Sequence, residues 1–474
     1  MLSFTNYPNA ERVFFYFEEI SKVPHGSFNT GAIADYLEGF AKEHSLDCTR
    51  DSADNVIIKK NATAGCETRP TVIIQGHTDM VAEKSEDSNI CFDTDALELY
   101  IDGDFLRAKG TTLGGDDGVA VAYMLALLES ESIPHPALEM LFTSNEEVGL
   151  LGAAALDTSN LNGKIMINVD SDDEGVFTVG CAGGGRVDFS LPISREDSEG
   201  KCYELSVSQL LGGHSGVEID KCRANAVKLG AKILSKLGDV RLASLEGGTK
   251  DNAIPRDFKA AFKTKFGISG IFEEARASAL KPYKDIEPNA KITLTECEDA
   301  GITLDEKSSK TVIAVLGETK SGVIAMSEEI KGLVESSENL GIAKLSESEF
   351  NFTVSVRSAK ADKKRELISD LKAIAEKYGA EVSVRGEYPA WEYKRDSHVR
   401  EVACKVFANM YGKEAKVITI HAGLECGIFS DKIEGLDCIS LGPDNFDIHT
   451  TEEHLSISST ARVWEFLKAM LKEI

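Results

Sequence analysis

No run of apolar residues in this chain approaches the ~20 needed to cross a bilayer. The first residues, MLSFTNYPNAERVFFYFEEI, carry no basic region followed by an apolar core, so no secretory signal is read there. Positive charge is scarce. The 52 Lys and Arg face 78 Asp and Glu, a net charge of −26. A field of that sign repels phosphates, which argues against nucleic acid and anionic membrane surfaces as partners. The ten cysteines include no CxxC pair. Scattered thiols without a secretory signal point to reduced cysteines in a cytoplasmic protein, not to a disulfide framework or a zinc finger. No low-complexity segment is present.

What remains is the composition of an ordinary globular protein, 42% hydrophobic and 27% charged. Its 474 residues suggest about two or three domains. The chain is organised around residues 71–80, TVIIQGHTDM. The apolar 72–74 read as a buried strand. The run ends in Gln75-Gly76, and His77 and Asp79 follow. In open α/β sheets the carboxyl ends of the strands are where ligands bind.

Helical periodicity covers 9–20 and 29–44, with Asn29-Thr30 as the N-terminal cap of the second. Strands follow at 56–59 and 72–74, and Asp102-Gly103 marks a hairpin. KGTTLGGDDGVAVAYMLALLES (109–130) is a Gly-rich turn feeding a helix that begins near Asp116 or Asp117. The strand 137–142 ends in TSNEEVG, and the strand 164–169 ends in Asp170-Ser171-Asp172. Alternation of strand, turn and helix over 50–175 predicts a parallel or mixed α/β sheet. GCAGGGR (180–186) lacks the GK[ST] ending of a phosphate loop and reads as a domain border. Beyond it the texture is α+β, with strands at 203–207, 292–296 and 352–356 and helices at 220–237 and 362–378. The α/β texture returns after Tyr388, with a helix at 396–411, strands at 417–420 and 438–441, and a closing helix at 458–473. The expected layout is a catalytic domain formed by 1–185 and 387–474, interrupted by an inserted domain, 186–386.

The polar residues at the strand ends form a set: His77, Asp79, Asp116, Glu146, Glu147, Asp170 and the late His449. Two imidazoles with several carboxylates suit a pair of divalent metals, one Asp bridging them. Zinc fits such a set, and so do cobalt and manganese. Of the adjacent Glu146 and Glu147, one side chain is free to ligate while the other faces water as a general base. Each residue also has a plainer reading. Asp116 and Asp117 suit a helix N-terminus, Glu146 and Glu147 a solvated loop, and Asp170 an Asx turn. His25, His44, His135 and His398 read as surface or capping residues.

The motifs GHTDMV (76–81), TTLGGDDGVA (111–120), TSNEEVGLLGA (143–153), NVDSDDEG (168–175), GGHSG (212–216), KDNAIPR (250–256), VRS (356–358) and HAGLECG (421–427), with His449, resemble the M20 metallopeptidases, in particular their C branch of Xaa-His dipeptidases. The resemblance spans nearly the whole chain. It implies a two-metal peptidase domain with an inserted lid. It implies that His77, Asp116 and Asp170 hold one metal and Asp116, Glu147 and His449 the other. His449 is preferred to the neighbouring His454 because it closely follows the strand. Glu146 would be the general base, Asp79 would orient a ligand or the base, and the peptide after Asp116 would be cis. His214 would hydrogen-bond the oxyanion, and Asn252, Arg357 and Gly423 would hold the substrate's polar end; His421 adjoins that set. The implied activity is a dipeptidase for small peptides with free termini, Xaa-His and β-alanyl-histidine among them. Related amide hydrolases, a tripeptidase or an N-acyl amino-acid deacylase, would use the same metals. A non-catalytic binding protein would have been free to lose Glu146. Monomer and homodimer both stay open.

Overall fold

A computed structural model describes residues 2–298, 300–328 and 330–474. The chain divides into two units, Met1–Cys181 with Tyr393–Thr419 and Leu424–Ile474, and Ala182–Glu392 with Ile420–Gly423.

The first unit is built on an eight-stranded mixed sheet. Its strands run in the order Asp47–Arg50, Val56–Lys60, Leu138–Thr143, Val72–His77, Ile165–Asn168, Asp437–Ser440, Val176–Cys181 and Lys416–Ile420. Val72–His77 lies parallel to both Leu138–Thr143 and Ile165–Asn168. All three are buried along their length, as apolar runs covered on both faces must be. The register sets His77 against Thr143 and Gln75 against Asn168. The residues just past these ends, Asp79, Glu146, Glu147 and Asp170, therefore leave the sheet at one edge. The helix Gly115–Glu129 is apolar on nearly every side and is buried in the core, with the Tyr123 ring stacked on Trp464 of the final helix Ile457–Glu473.

The hairpin at Asp102-Gly103 forms as expected. The second helix, Gly31–Glu43, follows Thr30, but Thr30 makes no side-chain cap. Its hydroxyl donates to Asp54 Oδ2 instead, a tertiary partner that outcompetes the local one.

The second unit holds a nine-stranded sheet whose described strands all pair antiparallel. Its main path runs Lys291–Cys297, Lys201–Ser208, Phe258–Thr264, Arg241–Gly247, Val334–Leu345, Glu349–Ser358, Gly183–Pro192 and Glu381–Tyr388. Helices Ala226–Leu234, Ser269–Leu280, Glu306–Glu318 and Ala361–Tyr378 share its core through Val227, Phe272, Val312 and Leu371. The Gly-rich stretch 180–186 is extended, not a phosphate loop. The helix expected from 220 starts only at Ala226. Cys222 has a positive φ, and Asn225 Oδ1 accepts from the N–H groups of Val227 and Lys228.

The expectation that every thiol is reduced is overturned by a disulfide between Cys202 and Cys297. The two are cross-strand partners in adjacent antiparallel strands. They are 95 residues apart in the chain, so spacing alone gave no sign of the pairing. Among the described residues, no helix is long and apolar enough to cross a membrane.

Candidate active site

His77 ends its strand with the imidazole fully enclosed. Nδ1 lies 2.8 Å from the Asp79 carbonyl oxygen, which only accepts, so Nδ1 carries a proton. Nε2 is thereby turned toward Asp116, 3.0 Å from its Oδ1. Fixing the tautomer through the far nitrogen is how a ligating imidazole is aimed. Asp116 presents its other oxygen, Oδ2, to His449 Nε2 at 3.1 Å. One carboxylate thus faces two imidazoles, one on each oxygen. The Asp116–Asp117 peptide is cis. Both residues lie outside helical φ/ψ although they sit in the first turn of the helix.

The close approach of strand and helix here needs a glycine. A Cβ on Gly76 would lie 2.4 Å from Ala120 Cβ and 2.5 Å from Asp117 Oδ2. In that space Asp117 Oδ2 accepts the His77 backbone N–H.

Asp170 Oδ1 is 3.9 Å from His77 Nε2. Glu147 Oε1 is 2.9 Å from His449 Nε2 but off the hydrogen-bond direction, and this buried oxygen has no hydrogen-bond partner among the described residues. Among the described residues, three groups have potential ligand atoms within 4.8 Å of one another: His77, Asp116 and Asp170; Asp116, Glu147 and His449; and His77, Glu146 and Glu147. The first two are the sets expected from the sequence. Asp79 lies behind the cluster. Its Oδ1 accepts the Glu146 N–H at 2.9 Å, and its Oδ2 accepts from Ser27 Oγ at 2.8 Å and the Glu147 N–H at 3.4 Å.

The electrostatics follow from this packing. Burial lowers His77, but hydrogen bonds to Asp116 and Asp79 outweigh it and hold the imidazole well above its usual pKa. The carboxylate of Asp116, then that of Glu147, raises His449 to about 10. Burial lifts Asp170 well above the carboxylate range, and the charges of Asp117 and Asp116 add to it. Burial likewise lifts Glu146, with Glu425 and Glu147 adding and His77 opposing. The cluster concentrates more carboxylate charge than its two imidazoles neutralise. That excess, with the unpartnered Glu147 oxygen, fits divalent cations.

Two carboxylates near the site escaped the sequence reading. Glu453 accepts the N–H groups of Leu113 and Gly114 on Oε2 and those of Gly115 and Asp116 on Oε1. It satisfies the open amides of the turn that delivers Asp116. Glu425 is wholly buried and accepts from Gln75 and Thr143, and burial pushes it up to about 7. His454 does not join the cluster; its Nδ1 faces the Glu452 carbonyl and its ring packs on Phe105 and Phe446. Two histidines expected to be surface or capping residues, His25 and His135, are buried. Each ring turns Nδ1 to a backbone carbonyl, Val23 and Pro136 respectively.

The remaining expected residues belong to the second unit. The pairing of His214 with Ala253 fixes the neighbouring Asn252, whose carbonyl accepts the Ser215 N–H at 2.8 Å. His214 Nδ1 accepts from the N–H groups of Gly216 and Val217, at 3.1 and 3.2 Å, which leaves Nε2 as the protonated, donating nitrogen. Burial lowers its pKa and the charge of Arg357 lowers it further. Arg357 is buried and donates from Nη1 to the Tyr388 hydroxyl at 2.9 Å. His421 Nε2 is 2.7 Å from Ser337 Oγ. A Cβ on Gly216 would lie within 3.2 Å of His421, His214 and Arg357 alike, so the three converge. Gly423 lies against the Tyr388 ring.

A family model described as Peptidase family M20/M25/M40 matches residues 73–473. The chain is 35% identical over 471 residues to the cytosol non-specific dipeptidase of Escherichia coli (strain K12), covering 97% of this chain and 96% of that one. Aminoacylhistidine dipeptidase from Vibrio alginolyticus matches in structure with a TM-score of 0.91 at 33% identity, covering 98% and 96%. Aminopeptidase PepT from Bacillus cereus, with a TM-score of 0.58 at 18% identity, shares the fold over 98% of each chain. The chain belongs to Peptidase family M20/M25/M40.

Proposed function

We propose that this dipeptidase cleaves dipeptides with free termini, Xaa-His and β-alanyl-histidine among them, at a pair of divalent cations. His77, Asp116 and Asp170 would hold one cation and Asp116, Glu147 and His449 the other. Zinc suits this mixture of imidazole and carboxylate, and so do cobalt and manganese. Bound there, the cations supply Lewis acidity, which polarises a carbonyl and makes water acidic. The observation that carries the reading is Asp116, whose two oxygens face His77 Nε2 at 3.0 Å and His449 Nε2 at 3.1 Å.

Glu146 is the general base. It takes the proton of the attacking water and returns it to the leaving amine, and its raised pKa suits both halves of that exchange. Asp79 orients the parts, holding His77 through its carbonyl and the Glu146 amide through its carboxylate. His214, with Nε2 free to donate, is assigned to the developing oxyanion. Arg357 is assigned to the substrate's terminal carboxylate, which its planar fork matches, and Asn252 and Gly423 are assigned to the same end of the substrate. The E. coli relative is named for the cytosol, and we place this chain in the cytoplasm too.

The test is metal analysis of the purified protein beside a substrate panel. Two ions per chain, with Ala-His and carnosine cleaved faster than tripeptides or N-acetyl amino acids, is the expected result. Full activity after exhaustive chelation, or a preference for N-acetyl amino acids, would overturn the assignment.

A further inference from the structure

Arg357 is buried in the second unit, and among the described residues no carboxylate lies within ion-pair distance of it. Its Nη1 donates to the Tyr388 hydroxyl oxygen, and its Nε, also buried, has no partner among the described residues. A buried guanidinium without a counter-ion is expensive unless an anion arrives to meet it. Tyr388, at the end of the strand Glu381–Tyr388, stands at the edge of that guanidinium. Its oxygen accepts from Arg357, and its own proton has no acceptor among the described residues.

The ring's place is fixed by two glycines. A Cβ on Gly423 would lie 2.7 Å from the Tyr388 ring, and one on Gly184 would lie 2.5 Å from its hydroxyl oxygen. Any side chain at either position would displace the phenol. The same local fold thus sets a spare O–H donor beside an unpaired cation. A carboxylate is the ligand that uses both, since its lone pairs accept from several donors at once.

We propose that Tyr388 is a specificity-determining residue whose phenolic O–H donates to the substrate's terminal carboxylate alongside Arg357. The inference rests on the assignment of Arg357 to that carboxylate. It predicts discrimination for a free C-terminus over a C-terminal amide, divided between the two side chains.

The test compares kcat/KM for Ala-His and for its C-terminal amide in the full-length, metal-loaded enzyme. Tyr388→Phe keeps the ring in its cradle and removes only the hydroxyl. It should lower kcat/KM for Ala-His about tenfold, through KM, and leave the amide nearly unchanged, as loss of one hydrogen bond to a charged group predicts. A phenol that served only to orient Arg357 would lose its effect once Arg357 is gone. Adding Tyr388→Phe to Arg357→Met, or to Arg357→Lys where the first variant melts early, should therefore narrow the carboxylate-to-amide ratio further. An unchanged ratio in Tyr388→Phe, or no further narrowing in the Arg357 backgrounds, would overturn the proposal. An unchanged ratio in Arg357→Met alone would instead overturn the assignment of Arg357.

Discussion

Glu453 Oε1 accepts the backbone N–H of Asp116 at 3.3 Å, joining residues 337 positions apart in the chain. The same carboxylate takes the amides of Leu113, Gly114 and Gly115. Asp116 is therefore presented by a turn whose amides are closed by one acid from the end of the chain. Replacing Glu453 with Ala leaves these buried N–H groups without an acceptor, at a cost of about 3 kcal/mol or more. Glu453→Gln keeps one carbonyl oxygen and should lose less. Urea denaturation measures the first effect. Metal content after dialysis measures the second consequence, a looser Asp116, and should fall in the order wild type, Gln, Ala.

Gly76→Ala places a methyl group 2.4 Å from Ala120 Cβ and 2.5 Å from Asp117 Oδ2, both behind the His77 strand. Ala120 Cβ has no rotamer by which to yield, and Asp117 Oδ2 is held by the His77 backbone N–H. Overpacking of this kind costs about 1–3 kcal/mol. It also pushes on the carboxylate that holds the His77 amide. Both a lower melting temperature and a lower metal affinity are expected, and a wild-type value for each would contradict the packing argument.

Much of this site was legible in the sequence because parallel strands translate position into place. Once 72–74, 137–142 and 164–169 are read as neighbouring strands, their carboxyl ends must share an edge, and His77, Glu146, Glu147 and Asp170 come with them. Glu453 was not legible. In DIHTTEEHLS it looks like a solvated loop acid, and only the return of the chain past the helix Gly115–Glu129 gives it four amides. Glu425 was hidden similarly, since its partners Gln75 and Thr143 lie on strands remote in sequence. The Cys202–Cys297 bond depends on the register of two antiparallel strands, which the residues between them do not encode. Thr30 and Cys222 show the local limit. A tertiary hydrogen bond and a left-handed φ overrode the periodicity that suggested a cap in one case and an early helix start in the other.

Glu146→Gln keeps the shape of the side chain and removes the base. Glu146 belongs to neither of the two ligand sets assigned to the metals, so the ions should stay. The expected outcome is a fall in kcat of about a thousandfold or more, with metal content near that of the wild type. Turnover within tenfold of wild type would sink the base assignment, and loss of metal would mean that Glu146 is a ligand.

Glu218 offers a pH test in the second unit. Its carboxylate takes the Lys221 ammonium and the His214 backbone N–H, and these bonds hold its pKa down to about 2. The ordinary Glu value is about 4.3. A depressed folded pKa gives stability that is present above the unfolded value and lost as pH falls through the folded one. The melting temperatures of wild type and Glu218→Gln should therefore differ most above about pH 4.3 and converge toward pH 2. A constant difference across that window would show that the charge of Glu218 contributes nothing.

Cation uptake should expel protons. The carboxylates of Asp116 and Glu147 raise His449 to about 10, so in chelator-treated protein at neutral pH the imidazole is protonated. His77 is held well above its ordinary value by Asp116 and Asp79 against the opposing effect of burial. Both rings direct Nε2 toward Asp116, and a metal can take only a deprotonated nitrogen. Each ligating imidazole must therefore give up a proton as the cation arrives. Because the proton competes for the same lone pair, apparent affinity should fall about tenfold for each pH unit of acidification and each proton displaced. The affinity should thus rise between pH 6 and 9, not fall. Calorimetric titration with zinc in two buffers of different ionisation enthalpy counts the protons directly. Release of none would mean that neither His77 nor His449 ligates through the nitrogen facing Asp116.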